Sequence, residues 1–445
     1  MSSPLRDPTE LHNQVVEAAW EGLSSPERLI GVQSPPGAGK SSLVRTLATR
    51  WSADGRPQLP IVTQTNAQAD DLCADLAIEL EGTGNTVGRL HGSDYRPDDR
   101  LVAAGVPRST DIQALSGCNV VIAPAAKWGY VNGTWSVAVI DEVYQMRSDD
   151  LLAVGHKFPR LLVVGDPGQL NPFTSGPGEL FRGRPFNPVE SAADTLRLTN
   201  PDARWLTLPV SWRLPPEAAE VVSGAFYTTP FQAGVAAGVR QLHIRPMTAG
   251  SLGNRVLAAA AASGWAFVEL PEAHLPRTDP EAVEIITGLV EACVLAGLSH
   301  SDESVTLRPL TLSDIAVAVA HRDQRGQVKT SVDQILALHG LEAGSVVVDT
   351  ANRLQGRQFR IVIAWHPLSG RRDASAFHLE AGRLCVMLSR HRHACIIVGR
   401  AGIREQLESH PGTEPIWIGE APPAVDGWEA NLAVLDALES HRISA

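Results

Sequence analysis

The sequence predicts an α/β protein built on two parallel sheets, and three observations carry that prediction. Short apolar, β-branched runs alternate with helical patterns along most of the chain. Strands buried on both faces have this composition, and strand–helix alternation implies parallel pairing. The runs fall into two sets, separated by polar, proline-rich sequence from Asn171 to about Asp202. In the first set, a glycine-rich turn joins the opening strand to its helix.

The elements follow in order. RLIGVQS from Arg28 is a strand, and after the glycine-rich turn a helix runs from Lys40 towards Trp51. PIVTQ from Pro60 is the next strand, followed by a helix through AQADDLCADLAIEL. Residues of about 82–118 are polar and turn-rich and are expected to form a short insertion between strands. CNVVIAP, SVAVID and RLLVVGD supply three more strands. In the second set, WAFVEL, DIAVAVA, GSVVVDT, FRIVIAW and ACIIVG are strand-like, and PEAVEIITGLVEACVLAG is a helix. The expected division is a first lobe over 1–204, a second over 205–400 and a tail over 401–445 that ends in a helix, EANLAVLDALESH.

Bulk properties bound the function. A chain of 445 residues suggests two to three domains, at roughly 100–200 residues each. With 44% hydrophobic and 20% charged residues the composition is that of an ordinary globular protein. No apolar run is long enough for a membrane helix, and MSSPLRDPTE lacks a signal-peptide core, so a soluble cytoplasmic protein with no membrane association is expected. Cys73, Cys118, Cys293, Cys385 and Cys395 form no C-x-x-C pair, which argues against a zinc or redox motif. A net charge of −11 argues against coating nucleic acid by bulk charge. Local basic lining is available between Arg353 and Arg360 and at Arg383, Arg390 and Arg392.

Three motifs carry chemistry. The first is Ser34-Pro-Pro-Gly37-Ala-Gly39-Lys40-Ser41, between strand and helix. A phosphate-binding loop needs inward backbone N–H groups, hence glycines where the chain approaches the phosphates. The expected nucleotide site is Pro36, Gly37, Ala38, Gly39, Lys40, Ser41 and Ser42, with Lys40 on the β and γ phosphates and Ser41 on Mg²⁺. Ser34 stands where the usual pattern has a glycine. The second motif ends an apolar strand in Asp141-Glu142: the first acid belongs near the metal, and the second can take a proton from the attacking water. The third, Gly165-Asp166-Pro-Gly-Gln169, puts a polar side chain at a strand-end turn, where it can sense a γ phosphate.

The ordered series Gln14, SPPGAGKS, IVTQTNAQADDL, VIDEVYQ, VVGDPGQLNP, SWRLP, VVVDTANRLQGRQF and RLCVMLSRHRH resembles the motif set of superfamily 1 helicases, in the branch of the nonsense-mediated-decay helicases. The resemblance runs from about residue 11 to 400. It implies two RecA-like lobes of the P-loop NTPase fold with short insertions, ATP as substrate with Mg²⁺, and single-stranded DNA or RNA as partner. It implies that Gln14 reads adenine, Gln169 senses the γ phosphate, Arg213 reaches the γ phosphate from the second lobe and Arg390 is the arginine finger. By the same resemblance, Trp212 would pack near the base, Gly356 would belong with the nucleotide-binding residues, and Thr65, Asn66, Thr350 and Gln355 would hold the strand or couple it to ATP.

An arginine supplied to a transferring phosphoryl group contributes about 10³–10⁵ in rate. Arginines on one lobe and the phosphate loop on the other would therefore tie hydrolysis to lobe closure. Gln358 departs from the family, which often has glutamate after Gln-Gly-Arg. Trp128, Tyr130 and Tyr144 are aromatics that either stack on bases or pack in the core. The expected activity is 5′-to-3′ translocation or unwinding. The alternative is a strand-stimulated ATPase switch or clamp that signals to a protein partner without unwinding.

Overall fold

The structure is a computed structural model. It describes residues 7–172, 178–181, 184, 186–245, 250–275, 278–304, 306–372, 374–409 and 425–445. Most of the tail stretch PGTEPIWIGEAPPAVDG therefore lies outside the described residues. The chain divides into two compact units. The first runs through Pro167 and includes Asn171–Pro209; the second holds Gly168–Leu170 and the described residues from Val210 onward.

The first unit is built on eight strands: β1 (Leu29–Gln33), β2 (Leu59–Thr63), β3 (Val87–Leu90), β4 (Arg108–Ser109), β5 (Val120–Pro124), β6 (Ala138–Asp141), β7 (Leu161–Gly165) and β8 (Arg204–Thr207). Their order in the sheet is β4-β3-β5-β2-β6-β7-β1-β8, with parallel pairing throughout. Side chains alternate between faces with period two. Leu59 and Ile61 of β2 accordingly join one buried cluster while Val62 joins another, so both faces are covered. Gln33 pairs with Gly165, and Asp141 pairs with Val164. The carboxyl ends of β1, β6 and β7 thus lie level, and ligands of open parallel sheets bind at such ends.

Two sequence expectations change here. Residues 82–118 are not only an insertion, because Val87–Leu90 and Arg108–Ser109 extend the sheet at one edge. The strand signal was masked by Arg89, which is fully buried and neutralised by Asp70 at 2.7 Å. The expected boundary at 204/205 falls inside a strand, since Ile30 to Gln33 pair with Arg204 to Thr207.

The second unit has a six-stranded parallel sheet in the order Val347–Thr350, Ile315–Val319, Phe359–Trp365, His391–Arg400, Trp265–Leu270, Arg442–Ser444. Phe267 and Val268 point into different buried clusters, so this sheet too is covered on both faces. The segment expected as a tail supplies the last strand, with Phe267 paired to Arg442. Its helix, Gly427–Ala437, is capped by Asp426, which accepts from Trp428 N at 2.7 Å. The strand is three residues of ordinary polarity, too short to announce itself by periodicity. A parallel pair, Val210–Ser211 with Gln232–Ala233, forms a separate two-stranded sheet.

Candidate functional site

In the first unit the site begins where β1 ends. Ser34 N donates to Gly165 O at 2.8 Å, which ties the start of the loop to the neighbouring strand. Ala38 N donates to Pro35 O at 3.0 Å, closing a turn. Gly37 and Gly39 have φ of 72° and 86°, a region that costs side-chain-bearing residues roughly 1–2 kcal/mol. The 14-residue helix Lys40–Ala53 follows at once, so its free N–H groups face the loop.

Lys40 Nζ contacts Asp141 Oδ1 and lies 3.1 Å from Glu142 Oε1. Burial pulls the ammonium's pKa down, but the charges of Asp141 and Glu142 outweigh it and raise the pKa above the ordinary lysine value. Glu142 is the one non-glycine residue with positive φ among those described, at 56°. Such a backbone costs about 1–3 kcal/mol and persists only where its surroundings fix it. Here they do: Glu142 N donates to Asp141 Oδ1 at 2.9 Å, Val143 N to Val164 O at 3.0 Å, and Gln64 Nε2 to Asp141 O at 3.0 Å. The strain turns two consecutive carboxylates toward one lysine. Asp141 and the exposed hydroxyl of Ser41 are hard oxygen donors, and Mg²⁺ takes few protein ligands besides phosphates and water, so the residues fit that ion. Ser42 is exposed beside Ser41, and Gln14 is exposed on the helix Pro8–Ser24, on a shallow surface shared with Asn13 and Glu17.

Thr65 and Asn66 follow the carboxyl end of β2. Thr65 caps the helix Asn66–Leu80, its Oγ1 accepting from Gln68 N at 3.2 Å while Gln68 Oε1 accepts from Thr65 N at 3.0 Å. Asn66 Oδ1 accepts from Arg89 at 2.8 Å, and Tyr95 Oη donates to Asp70 at 2.7 Å. The Arg89–Asp70–Tyr95 network was missed by sequence reasoning, because an isolated buried arginine leaves no local pattern. Of the three candidate stacking aromatics, Trp128 is fully buried against Trp135 and Phe158, and Tyr144 is buried with its hydroxyl on Gln33 at 3.0 Å. Tyr130 is 88% exposed, beyond the carboxyl end of β5.

In the second unit Gln355 Nε2 donates to Gln169 Oε1 at 3.0 Å. Gln169, expected with the first lobe, groups with this unit. A Cβ on Gly382 would come within 2.5 Å of the Gln169 carbonyl oxygen, so the close approach requires glycine there. Gly356 has φ of 81°, and Gln358, two residues on, is exposed. Thr350 is buried at the end of its strand, directly before the short helix Ala351–Leu354. Trp212 lies against Gly234, where a Cβ would meet its ring at 2.4 Å. Arg213 Nη1 donates to Ser389 O at 3.3 Å, joining the Ser-Trp-Arg turn to the motif that carries Arg390. Arg390 is 1% exposed; its guanidinium donates to Val386 O at 3.2 Å and Ser389 Oγ at 3.0 Å.

Residues 11–199 match one family described as AAA domain, and residues 191–402 match a second with the same description. A regulator of nonsense transcripts 1 homolog from Drosophila melanogaster is 24% identical over 342 residues, 75% of this chain and 26% of that protein. Taken together, these matches support a superfamily 1 helicase on the branch of that regulator. The chain spans about a quarter of the length of the curated relative it matches. Its fold is that of two RecA-like lobes of the P-loop NTPase class. Among solved structures, arterivirus nonstructural protein 10 (helicase) aligns with a TM-score of 0.45 at 14% identity, over 88% of this chain and 64% of that one. The same protein in complex with DNA gives 0.43 at 14% identity, over 87% and 63%. The PRRSV helicase gives 0.40 at 15% identity, over 89% and 56%.

Proposed function

We propose that this chain is an ATP-hydrolysing motor that moves 5′ to 3′ along single-stranded nucleic acid. The observation that carries the reading is the Lys40–Asp141–Glu142 cluster at the level carboxyl ends of β1, β6 and β7, held by a strained backbone at Glu142. Bound Mg²⁺ would offset phosphate charge, with Ser41 and Asp141 as its protein ligands. Lys40 then binds the β and γ phosphates, and Glu142 accepts the proton of the attacking water. The loop Pro36–Ser42 cradles the phosphates, and Gln14 reads adenine. Gln169, Arg213 and Arg390 act on the γ phosphate as it transfers; Trp212 and Gly356 complete nucleotide binding. Thr65, Asn66, Thr350 and Gln355 engage the strand, whether DNA or RNA.

Strand binding is supported in the first unit by the capped N-terminus at Thr65-Asn66 and by exposed Tyr130, which follow the adjacent strands β2 and β5. The net charge of −11 favours a second reading, in which a few local contacts clamp a strand and signal to a protein partner without unwinding. A duplex with a single-stranded tail at one end separates the two. Displacement from a 5′ tail alone supports the motor, displacement from a 3′ tail alone overturns the direction, and strand-stimulated hydrolysis without displacement supports the clamp.

A further inference from the structure

The Ser211-Trp212-Arg213 turn is held from three sides. Ser211 Oγ accepts from Leu214 N at 3.2 Å. Ser211 O accepts from Gly234 N at 2.8 Å, extending the pairing of Val210–Ser211 with Gln232–Ala233. The third side is Arg240, whose side chain is 2% exposed. Its Nη2 donates to Trp212 O at 2.7 Å, and its Nη1 donates to Arg213 O. Its Nε donates to Glu303 Oε1 at 2.9 Å, and Nη2 pairs with the same carboxylate. Glu303 Oε1 also lies 3.7 Å from Arg392, two residues beyond Arg390.

We infer that Arg240, fixed by Glu303, is a positioning residue that sets the backbone from which Trp212 and Arg213 project. The inference rests on the role proposed above for Arg213. A guanidinium presents several donors in a rigid fork, so it can hold two successive carbonyls and a carboxylate at once, which an ammonium cannot do in the same geometry. Those carbonyls belong to the residues assigned to base packing and to the γ phosphate. Glu303 compensates the charge of the buried arginine and ties the same cluster to the strand carrying Arg392. Loss of Arg240 removes a donor from each of the two carbonyls and loosens the turn, and a misplacement of about 1 Å can cost on the order of 10²-fold in rate.

The test measures kcat and KM for ATP, together with affinity for ADP alone and for ADP with aluminium fluoride. The proteins are wild type, Arg240→Ala, Arg240→Lys, Glu303→Gln, Arg213→Ala and the double variant Arg213→Ala/Arg240→Ala. The expected result is a fall in kcat of about tenfold or more for Arg240→Ala with KM within a few-fold of wild type. Binding of ADP with aluminium fluoride should weaken in parallel, and more than binding of ADP alone, which loses at most the base packing of Trp212. Arg240→Lys recovers part of the loss, and Glu303→Gln shows a smaller loss of the same kind. If Arg240 acts through Arg213, its removal adds little once Arg213 is gone. Full additivity in the double variant, or equal losses of ADP affinity and turnover, overturns the inference. Should Arg240→Ala fail to fold, Glu303→Gln decides, and wild-type turnover in that variant overturns the clamp. A wild-type protein without ATPase activity sinks the motor reading itself, an outcome distinct from variants that match an active wild type.

Discussion

The two units orient their cations by different contacts. In the first, Lys40 is held by two carboxylates, Asp141 and Glu142, so the cluster carries its own compensating charge. In the second, Arg213 donates to the Ser389 carbonyl, and Arg390 donates to the Val386 carbonyl and the Ser389 hydroxyl, so one short stretch of backbone orients both guanidiniums. The first arrangement suits a site that needs a metal to take over one carboxylate. The second holds two guanidiniums on one stretch of backbone, which suits the role proposed for them on charge developing during reaction.

The largest effects should come from breaking the first arrangement. Lys40→Ala is expected to bring hydrolysis to background, since the β and γ phosphates lose their cation. Glu142→Gln should still bind Mg·ATP and turn over about 10²–10⁴-fold more slowly. Normal turnover in either variant, read in a phosphate-release assay, would place the chemistry elsewhere. Next come the arginines of the second unit. Arg390→Ala and Arg213→Ala should each lower kcat by about 10²–10³-fold with little change in nucleotide affinity. If affinity drops and turnover stays, the contrast drawn between the units is wrong.

Legibility in the sequence divides by how local the signal is, in both units. The loop Ser34–Ser41 and the pair Asp141-Glu142 are local patterns at strand ends, so the first site was readable together with β1, β2, β5, β6 and β7. The strands at Val87–Leu90, Arg204–Thr207 and Arg442–Ser444 were not, because a buried arginine or a short polar run hides the apolar period. Arg89 and Arg240 earn their roles only from partners 19 and 63 residues away in Asp70 and Glu303, and sequence spacing does not carry such pairings.

Arg89 offers a smaller perturbation confined to the first unit. Removing one partner of a buried pair costs about 3–5 kcal/mol, so Arg89→Ala should lower unfolding stability by that order and loosen Asn66. Denaturant unfolding checks the first effect and strand affinity the second; an unchanged midpoint would show that Asp70 finds another partner. Tyr130→Ala should leave stability alone and weaken single-strand binding by about 1–3 kcal/mol if a base stacks there. Equal affinity in a fluorescence titration would return Tyr130 to the ordinary surface.

The second unit should also be the more acid-sensitive. Burial lowers the pKa of His391 to about 3 and those of His366 and His393 to about 4. The unfolded chain binds protons at these groups near pH 6.5 whereas the folded one does not, so stability is fully present above that pH and falls as pH drops toward 4. His391→Phe should flatten that fall, and an unchanged pH profile of the unfolding midpoint would assign acid sensitivity to other groups.

The central claim is that a nucleic-acid strand and ATP meet in one motor. Its most direct test is ATP hydrolysis by the wild-type chain with single-stranded DNA, with single-stranded RNA and with no strand, beside Lys40→Ala. The account predicts Mg²⁺-dependent hydrolysis that at least one strand stimulates and that the substitution abolishes. Hydrolysis indifferent to every strand, or surviving the loss of Lys40, would contradict it.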